Sequence, residues 1–234
     1  TLFPYTTLFR SSRSLLYETT RFVDVHKSYE AISNERALSK EERTEYKEYQ
    51  HLADAYTPLL KMFASEYANQ NAYDCIQVHG GSGFMKDYTC ERLYRDARIL
   101  TIYEGTSQLQ VVAAIRHVTT GTYLDMMKDY ESREINPAFN GLRDKLKAMR
   151  EKYEAAVNRV VELKDNESLD FLARYLVEMA GYTIMGHLLI LDSSRKDLFH
   201  ESANVFVLMG EAEVEKHLKY INEFDKENLA FFRK

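Results

Sequence analysis

The chain has 234 residues, of which 45% are hydrophobic and 29% charged, so it can bury a core beneath a charged surface. Only nine glycines and three prolines interrupt it, which favours long helices over many short strands and turns. The formal net charge of -5 argues against a nucleic-acid partner, which needs a basic face, and no apolar run approaches the roughly 20 residues of a transmembrane span.

The first eleven residues, TLFPYTTLFRS, match the in-frame translation of a sequencing-adapter oligonucleotide. They show no amphipathic period, and they lack the basic start and the cleavage site of a signal peptide. We therefore interpret residues 1–11 as an adapter-derived artefact, leave them out of the fold prediction, and expect the chain to be a fragment of a longer protein. The alternative is a genuine N-terminal tail.

Apolar residues at three- and four-residue steps predict a first helix over about 14–33. A charged connection follows, in which Ser39 and Glu42 have the spacing of a capping box that opens a second helix. The helical pattern continues to His79, with Pro58 as a point where the helix kinks or breaks.

Three glycines in four residues, Gly80, Gly81 and Gly83, end this helix, and we expect them to supply the positive φ angles of a tight turn. A short helix is predicted over 91–98. An extended connection over 99–105 then leads into the next helix.

After residue 121 the pattern stays helical, without alternation over strand lengths and without an internal repeat. Further helices are predicted over about 123–133, 137–163, 168–191 and 197–232. The sequence therefore predicts an all-α fold, with a helical bundle over 12–122 and a helical extension over 123–234.

Glu104 is the first candidate for chemistry, because Gly105 and the hydroxyl residues Thr106 and Ser107 follow it at a predicted helix start. A carboxylate there lies near the positive end of a helix dipole, and the glycine lets a ligand approach the backbone. This arrangement suits a positioned base. An acid that only caps the helix is the alternative, and from these residues alone it is the more common one.

The second candidate is the segment Gln77–Gly81, which reads QVHGG. Backbone N–H groups of a glycine turn can hold a phosphate. The turn follows a helix rather than a strand, so it is not the dinucleotide-binding fingerprint. An ordinary helix C-cap, with His79 in a structural role, is the alternative.

The two cysteines, Cys75 and Cys90, are too few for a disulfide framework and lack the sequence spacing of metal ligands. The chain also has no HExxH motif, no nucleophile elbow and no Walker loop. The sequence therefore predicts no metal site, and it predicts a reducing compartment, the cytoplasm.

Two separated motifs, CIQVHGGSGFMKDY over 75–88 and ERLYRDARILTIYEGTSQLQ over 91–110, closely resemble those of the acyl-CoA dehydrogenase family. A looser helical likeness extends back to about Ser12, and beyond about Tyr123 the chain is similar to the helical extension of larger family members. The resemblance implies the carboxyl-terminal helical bundle of a flavoenzyme that binds FAD between its domains and across a subunit interface.

The resemblance also implies a role for each matched residue. Glu104 would be the base that removes the α-proton of an acyl-CoA thioester, and Gly105 would contact the substrate. FAD would be contacted by Thr106, Ser107 and Gln108. The FAD of a partner subunit would be contacted by Gln77, Val78, His79, Gly80 and Gly81.

The implied reaction yields a trans-2-enoyl-CoA, as in fatty acid β-oxidation, with an electron-transfer flavoprotein as acceptor and a homodimer as the full-length assembly. An acyl-CoA oxidase on the same scaffold and a non-catalytic helical assembly module are the alternatives. We expect the 234-residue chain to bind FAD poorly and to be inactive alone, because most of the cofactor site would lie upstream. Thr89 and Cys90 depart from the Pro-Val pair common in the family, and His79 stands at a variable position.

Overall fold

A computed structural model describes residues 5–232, and every regular element in that range is helical, which confirms the all-α prediction. The α-helices of this range are α1 (Tyr5–Glu35), α2 (Lys40–His79), α3 (Gly81–Phe84), α4 (Cys90–Ala97), α5 (Ser107–Thr119), α6 (Thr122–Ser132), α7 (Asn140–Glu162), α8 (Asn166–Arg195) and α9 (His200–Glu223). Short 3₁₀ helices cover Arg98–Thr101, Pro137–Phe139, Asp197–Phe199 and Lys226–Phe232. None of the helices in the described range is long and apolar enough to cross a membrane.

The start of α2 follows from local chemistry. The Ser39 hydroxyl accepts a hydrogen bond from the Glu42 N–H at 3.2 Å, and the Glu42 carboxylate accepts one from the Ser39 N–H at 2.8 Å. The predicted capping box is therefore confirmed. Pro58 does not break the helix, which runs without interruption to His79.

Helix α1 begins at Tyr5 and not near residue 14, and its first turns pack against the distal end of the chain. Leu8 is buried, and the Arg10 guanidinium donates to the Leu198 carbonyl at 2.7 Å and to the Ser202 hydroxyl at 2.8 Å. The predicted helix start near Ser14 is therefore wrong, and residues 5–11 belong to α1. Their origin from an adapter stays a prediction.

The prediction of a single helix over 197–232 is also wrong. A 3₁₀ turn at Asp197–Phe199 precedes α9, and the helix ends at Glu223 because Phe224 adopts an extended backbone, with ψ at 128°. The chain then forms a second 3₁₀ segment over Lys226–Phe232.

Helix α8 lies at the centre of the molecule and packs against α1, α5, α6, α7 and α9, and it meets α2 over a shorter stretch. Two of its glycines receive large side chains from neighbouring helices. A Cβ at Gly181 would lie 2.0 Å from Phe63 of α2, and one at Gly186 would lie 2.4 Å from Leu146 of α7. The buried apolar residues form one cluster that spans both predicted units.

We expect Gly181→Ala to lower the free energy of unfolding by about 1–3 kcal/mol, because the new methyl group overlaps the Phe63 ring. Urea denaturation of the 234-residue chain measures this change. The matched control is Gly141→Ala in α7, where nothing lies within 4 Å of an added Cβ. That variant should leave stability unchanged or raise it by up to about 1 kcal/mol. Equal effects of the two substitutions would contradict the proposed packing.

Candidate active site at the turn before α5

The turn between α4 and α5 is held against α2 by two side chains. The Asn69 amide donates to the Ala97 carbonyl at 2.9 Å, and the Lys61 ammonium donates to the Leu100 carbonyl. The same ammonium lies 4.4 Å from the centre of the Tyr103 ring, a cation–π contact. The turn therefore has a fixed position on a long helix.

The connection predicted as extended over 99–105 is instead tightly wound. A 3₁₀ helix covers Arg98–Thr101, and the Ile99 carbonyl accepts from the N–H groups of Ile102 at 2.9 Å and Tyr103 at 3.1 Å. The prediction is wrong because the contacts from α2 override the preference of β-branched residues for extended backbone.

Glu104 has a left-handed backbone, with φ at +52°, and Gly105 follows with φ at +93°. For an L-residue this conformation costs about 1–2 kcal/mol. The only other non-glycine residue with positive φ in the described range is Lys164, just beyond α7, where a left-handed residue is a common helix ending. The Gln110 amide donates to the carbonyls of both Glu104 and Gly105, at 3.2 Å each. Strained backbone of this kind concentrates at functional sites.

The start of α5 is capped by Thr106 and not by Glu104. The Thr106 hydroxyl accepts from the Leu109 N–H at 3.3 Å, as expected of an N-cap residue. The Glu104 side chain is exposed beside this cap. The alternative in which Glu104 serves only as the cap therefore loses its basis.

Ser107, the first residue of α5, is buried, and its hydroxyl has no hydrogen-bond partner among the described residues. A buried polar group without a partner costs about 1–3 kcal/mol, so an orphaned hydroxyl at a predicted cofactor contact fits a bound polar group. Gln108 is exposed on the same helical turn. Residues 104–108 thus lie together at the start of α5, and their role as one site stays a prediction.

The second predicted segment, Gln77–Gly81, forms the end of α2 and the beginning of α3. Gly80 has φ at +59°, and its N–H donates to the Gln77 carbonyl at 3.2 Å. Gly81 and Gly83 are helical, so the expectation of positive φ at all three glycines is wrong for these two. Gly83 is required for another reason, since a Cβ there would lie 2.8 Å from the Ile76 carbonyl oxygen.

The structure does not bring the two segments together. The turn at Tyr103 is fixed to Lys61, whereas Gln77 lies sixteen residues further along the same helix, or about 24 Å at 1.5 Å per residue. Within one chain, the two segments are therefore too far apart to contact the same ring of a bound cofactor.

Exposed apolar surface is concentrated around both segments. Of the twenty large hydrophobic side chains exposed among the described residues, twelve lie between Tyr73 and Val112. A groove of about 680 Å³ beside Gln77 is lined by Tyr73, Ile76, Gln77, Phe84, Met85, Lys86, Asp87, Glu91 and Tyr94. Apolar surface of this extent typically marks a binding site.

Cys75, His79 and Cys90 meet beside this groove, although the cysteines lack ligand spacing in the sequence. One potential ligand atom of each residue lies within 4.8 Å of the other two. Spacing along the sequence does not reveal this convergence, and the predicted absence of a metal site stays a prediction. Burial, and then the neighbouring Cys90 thiol, raises the pKa of the Cys75 thiol above its usual range.

Three residues that position the turn were missed by the sequence analysis: Lys61, Asn69 and Gln110. Lys61 and Asn69 share one face of α2 with Ser65, at four-residue steps. A polar stripe at that spacing is the signal that could have found two of them. Gln110 lies within the recognised motif and carries no further signal.

We expect Glu104→Gly to raise the free energy of unfolding by about 1 kcal/mol, because glycine adopts a left-handed backbone without the Cβ clash. Urea denaturation tests this expectation. Glu104→Ala is the matched control, since it removes the carboxylate but keeps the Cβ, and it should give no increase. Equal stabilisation by both variants would indicate that charge, and not backbone strain, is responsible.

Comparison with known proteins gives two family matches that together cover residues 29–229. The model described as "Acyl-CoA dehydrogenase, C-terminal domain" matches residues 29–119, and the one described as "Acyl-CoA dehydrogenase C terminal" matches residues 119–229. The two matches meet at the end of α5.

Among similar proteins, the caffeyl-CoA reductase-Etf complex subunit CarC of Acetobacterium woodii is 52% identical over 52 residues, which are 22% of this chain and 14% of that protein. An acyl-CoA dehydrogenase of Bacillus subtilis is 45% identical over 64 residues, 27% of this chain and 17% of that protein. The matches thus span less than a fifth of these relatives.

One solved structure, an acyl-CoA dehydrogenase complexed with FAD from Bacillus anthracis, resembles the fold with a TM-score of 0.68 at 20% identity. The likeness covers 99% of this chain and 44% of that one. At this identity the match supports the fold, including the helices after α5.

Proposed function

The chain belongs to the acyl-CoA dehydrogenase family, and we propose that it is the carboxyl-terminal part of an enzyme that desaturates an acyl-CoA between its α- and β-carbons, with Glu104 as the base. The observation that carries this proposal is the strained, left-handed backbone of an exposed carboxylate beside a helix that another residue caps. That arrangement fits a carboxylate presented to a ligand.

The proposed reaction begins with loss of a proton from the α-carbon of the thioester. This proton is weakly acidic, so its removal needs a positioned carboxylate and stabilisation of the developing enolate. Glu104 accepts the proton, and Gly105 leaves room for the substrate next to it. FAD, when bound, supplies the acceptor for the hydride that leaves the β-carbon. The products are a trans-2-enoyl-CoA and the reduced cofactor.

Two sets of residues would hold FAD in this proposal. Thr106, Ser107 and Gln108 would contact the cofactor next to Glu104, and the orphaned Ser107 hydroxyl supports this role. The other set, which lies about 24 Å away along α2, would contact the cofactor of a second copy. It comprises Gln77, Val78, His79, Gly80 and Gly81. We therefore propose a homodimer as the assembly of the full-length protein.

The electron acceptor in this proposal is an electron-transfer flavoprotein. The name of the Acetobacterium woodii relative, a subunit of a reductase-Etf complex, supports this choice. Its name also supports a second candidate, the reduction of an enoyl-CoA. In that direction Glu104 would return a proton to the α-carbon, so the same residue serves both reactions.

We expect Glu104→Gln in the full-length protein to retain FAD but to slow its reduction by acyl-CoA by about 10²–10⁴-fold, because glutamine cannot accept the α-proton. Anaerobic stopped-flow absorbance of the flavin measures the rate. Glu134→Gln, at another exposed glutamate, is the matched control, and its flavin should be reduced at the same rate as in the unaltered protein.

Other outcomes of the same experiment separate the alternatives. Near-normal reduction in Glu104→Gln would show that another residue is the base. A reduced enzyme that air reoxidises rapidly would indicate an oxidase, and one that enoyl-CoA reoxidises preferentially would indicate a reductase. A FAD-free full-length protein would indicate the helical assembly module.

A further inference from the structure

We propose that Cys75, His79 and Cys90 form a binding site for a zinc-like divalent cation, in which two thiolates and one imidazole are the ligands. One ligand atom of each residue lies within 4.8 Å of the others, and the Cys75 sulfur is 3.9 Å from His79 Nδ1. Thiolate and imidazole are the ligands that zinc prefers in proteins. The proposal concerns metal binding alone, and of its three residues only His79 belongs to a segment proposed above to contact FAD.

The helices explain why these residues meet. Cys75 and His79 are four residues apart in the last turns of α2, so both side chains project from one face. The glycine turn after His79 reverses the chain, and Cys90, the first residue of α4, is thereby placed against this face. The site would join the ends of two helices across the ten residues between them.

The spacing is close to that of a coordinated metal. Tetrahedral geometry with zinc–sulfur distances of about 2.3 Å places two sulfurs about 3.8 Å apart. Ligand atoms within 4.8 Å of one another therefore need to move by at most about 1 Å. Three protein ligands leave a fourth position open for water.

The binding of the cation is accompanied by the release of protons from the two thiols. Each thiol releases one proton when it becomes a thiolate ligand, so two protons leave as the divalent cation enters. His79 Nδ1 currently lies 2.8 Å from the Cys75 carbonyl oxygen. Coordination through this nitrogen would replace that contact and place the ring proton on Nε2.

A disulfide between the two cysteines would use the sulfurs alone and would leave the imidazole in its contact with the Cys75 carbonyl oxygen. His79 lies within 4.8 Å of both sulfurs, although it is exposed and could point to solvent. The convergence of all three side chains therefore favours a metal over a disulfide.

The test is a titration of the purified 234-residue chain, reduced and stripped of metal, with Zn²⁺ in a calorimeter. We expect one Zn²⁺ per chain, together with protection of both cysteines from a thiol-specific reagent. Cys75→Ser and His79→Gln should each weaken zinc binding by about 10- to 100-fold or more. His200→Gln, at a histidine outside the cluster, is the matched control and should bind as the unaltered chain does.

Circular dichroism of each variant establishes that it folds, and His79 is exposed, so its replacement disturbs no core. The absence of zinc binding by the reduced chain would overturn the proposal. So would an unchanged affinity in Cys75→Ser, which would place the ion elsewhere. Unchanged affinity in His79→Gln alone would overturn the imidazole ligand, and with it the three-residue site.

Discussion

The packing of α2 against α8 is the contact on which the position of the candidate site depends. Phe63 fills the space that the missing side chain of Gly181 leaves, and both residues are buried. A fit of this kind tolerates little displacement, because protein interiors are packed as densely as organic crystals. It therefore fixes the register of α2 against the helix at the centre of the molecule.

That register determines where the turn before α5 lies. Lys61 and Asn69 flank Phe63 on the same helix, and they bind the Leu100 and Ala97 carbonyls. Because these anchors belong to a packed helix and not to a mobile loop, they can hold Glu104 in a conformation that it would otherwise avoid. The strained backbone is thus sustained by core packing some distance from the carboxylate itself.

The two sequence units share this core. The Tyr56 hydroxyl of α2 lies 3.0 Å from that of Tyr130 in α6, and the latter donates to the Glu18 carboxylate of α1 at 3.0 Å. Burial raises the pKa of Glu18, but hydrogen bonding and charge from Arg21 outweigh it, so that the pKa is lowered and the carboxylate stays ionised. The helices after α5 therefore contribute directly to the stability of the part that carries the site.

The features that sequence predicts well here are those with local causes. The capping box at Ser39 and the helix start after Thr106 rest on contacts within four residues, and both were predicted. The bonds of Arg10 join residues almost the whole chain apart, so no local pattern could reveal them. The same holds for the approach of Cys90 to α2, and the left-handed backbone of Glu104 is a conformation that its residue type does not favour.

The far end of α2 explains why a single chain leaves so much apolar surface uncovered. The helix spans 40 residues, about 60 Å, yet its buried residues lie almost entirely between Leu52 and Tyr67. Beyond that stretch Asp74 is the one buried residue of the helix, and the short helices α3 and α4, which pack against α2, are not long enough to cover this end. The predicted cofactor segment at Gln77 stands at this uncovered end, whereas Glu104 stands near the anchored part. A second copy whose Gln77 segment met the turn of the first would cover apolar surface on both, and it would complete two sites at once. The proposed dimer is thus compatible with the length of one helix and with where its core contacts end.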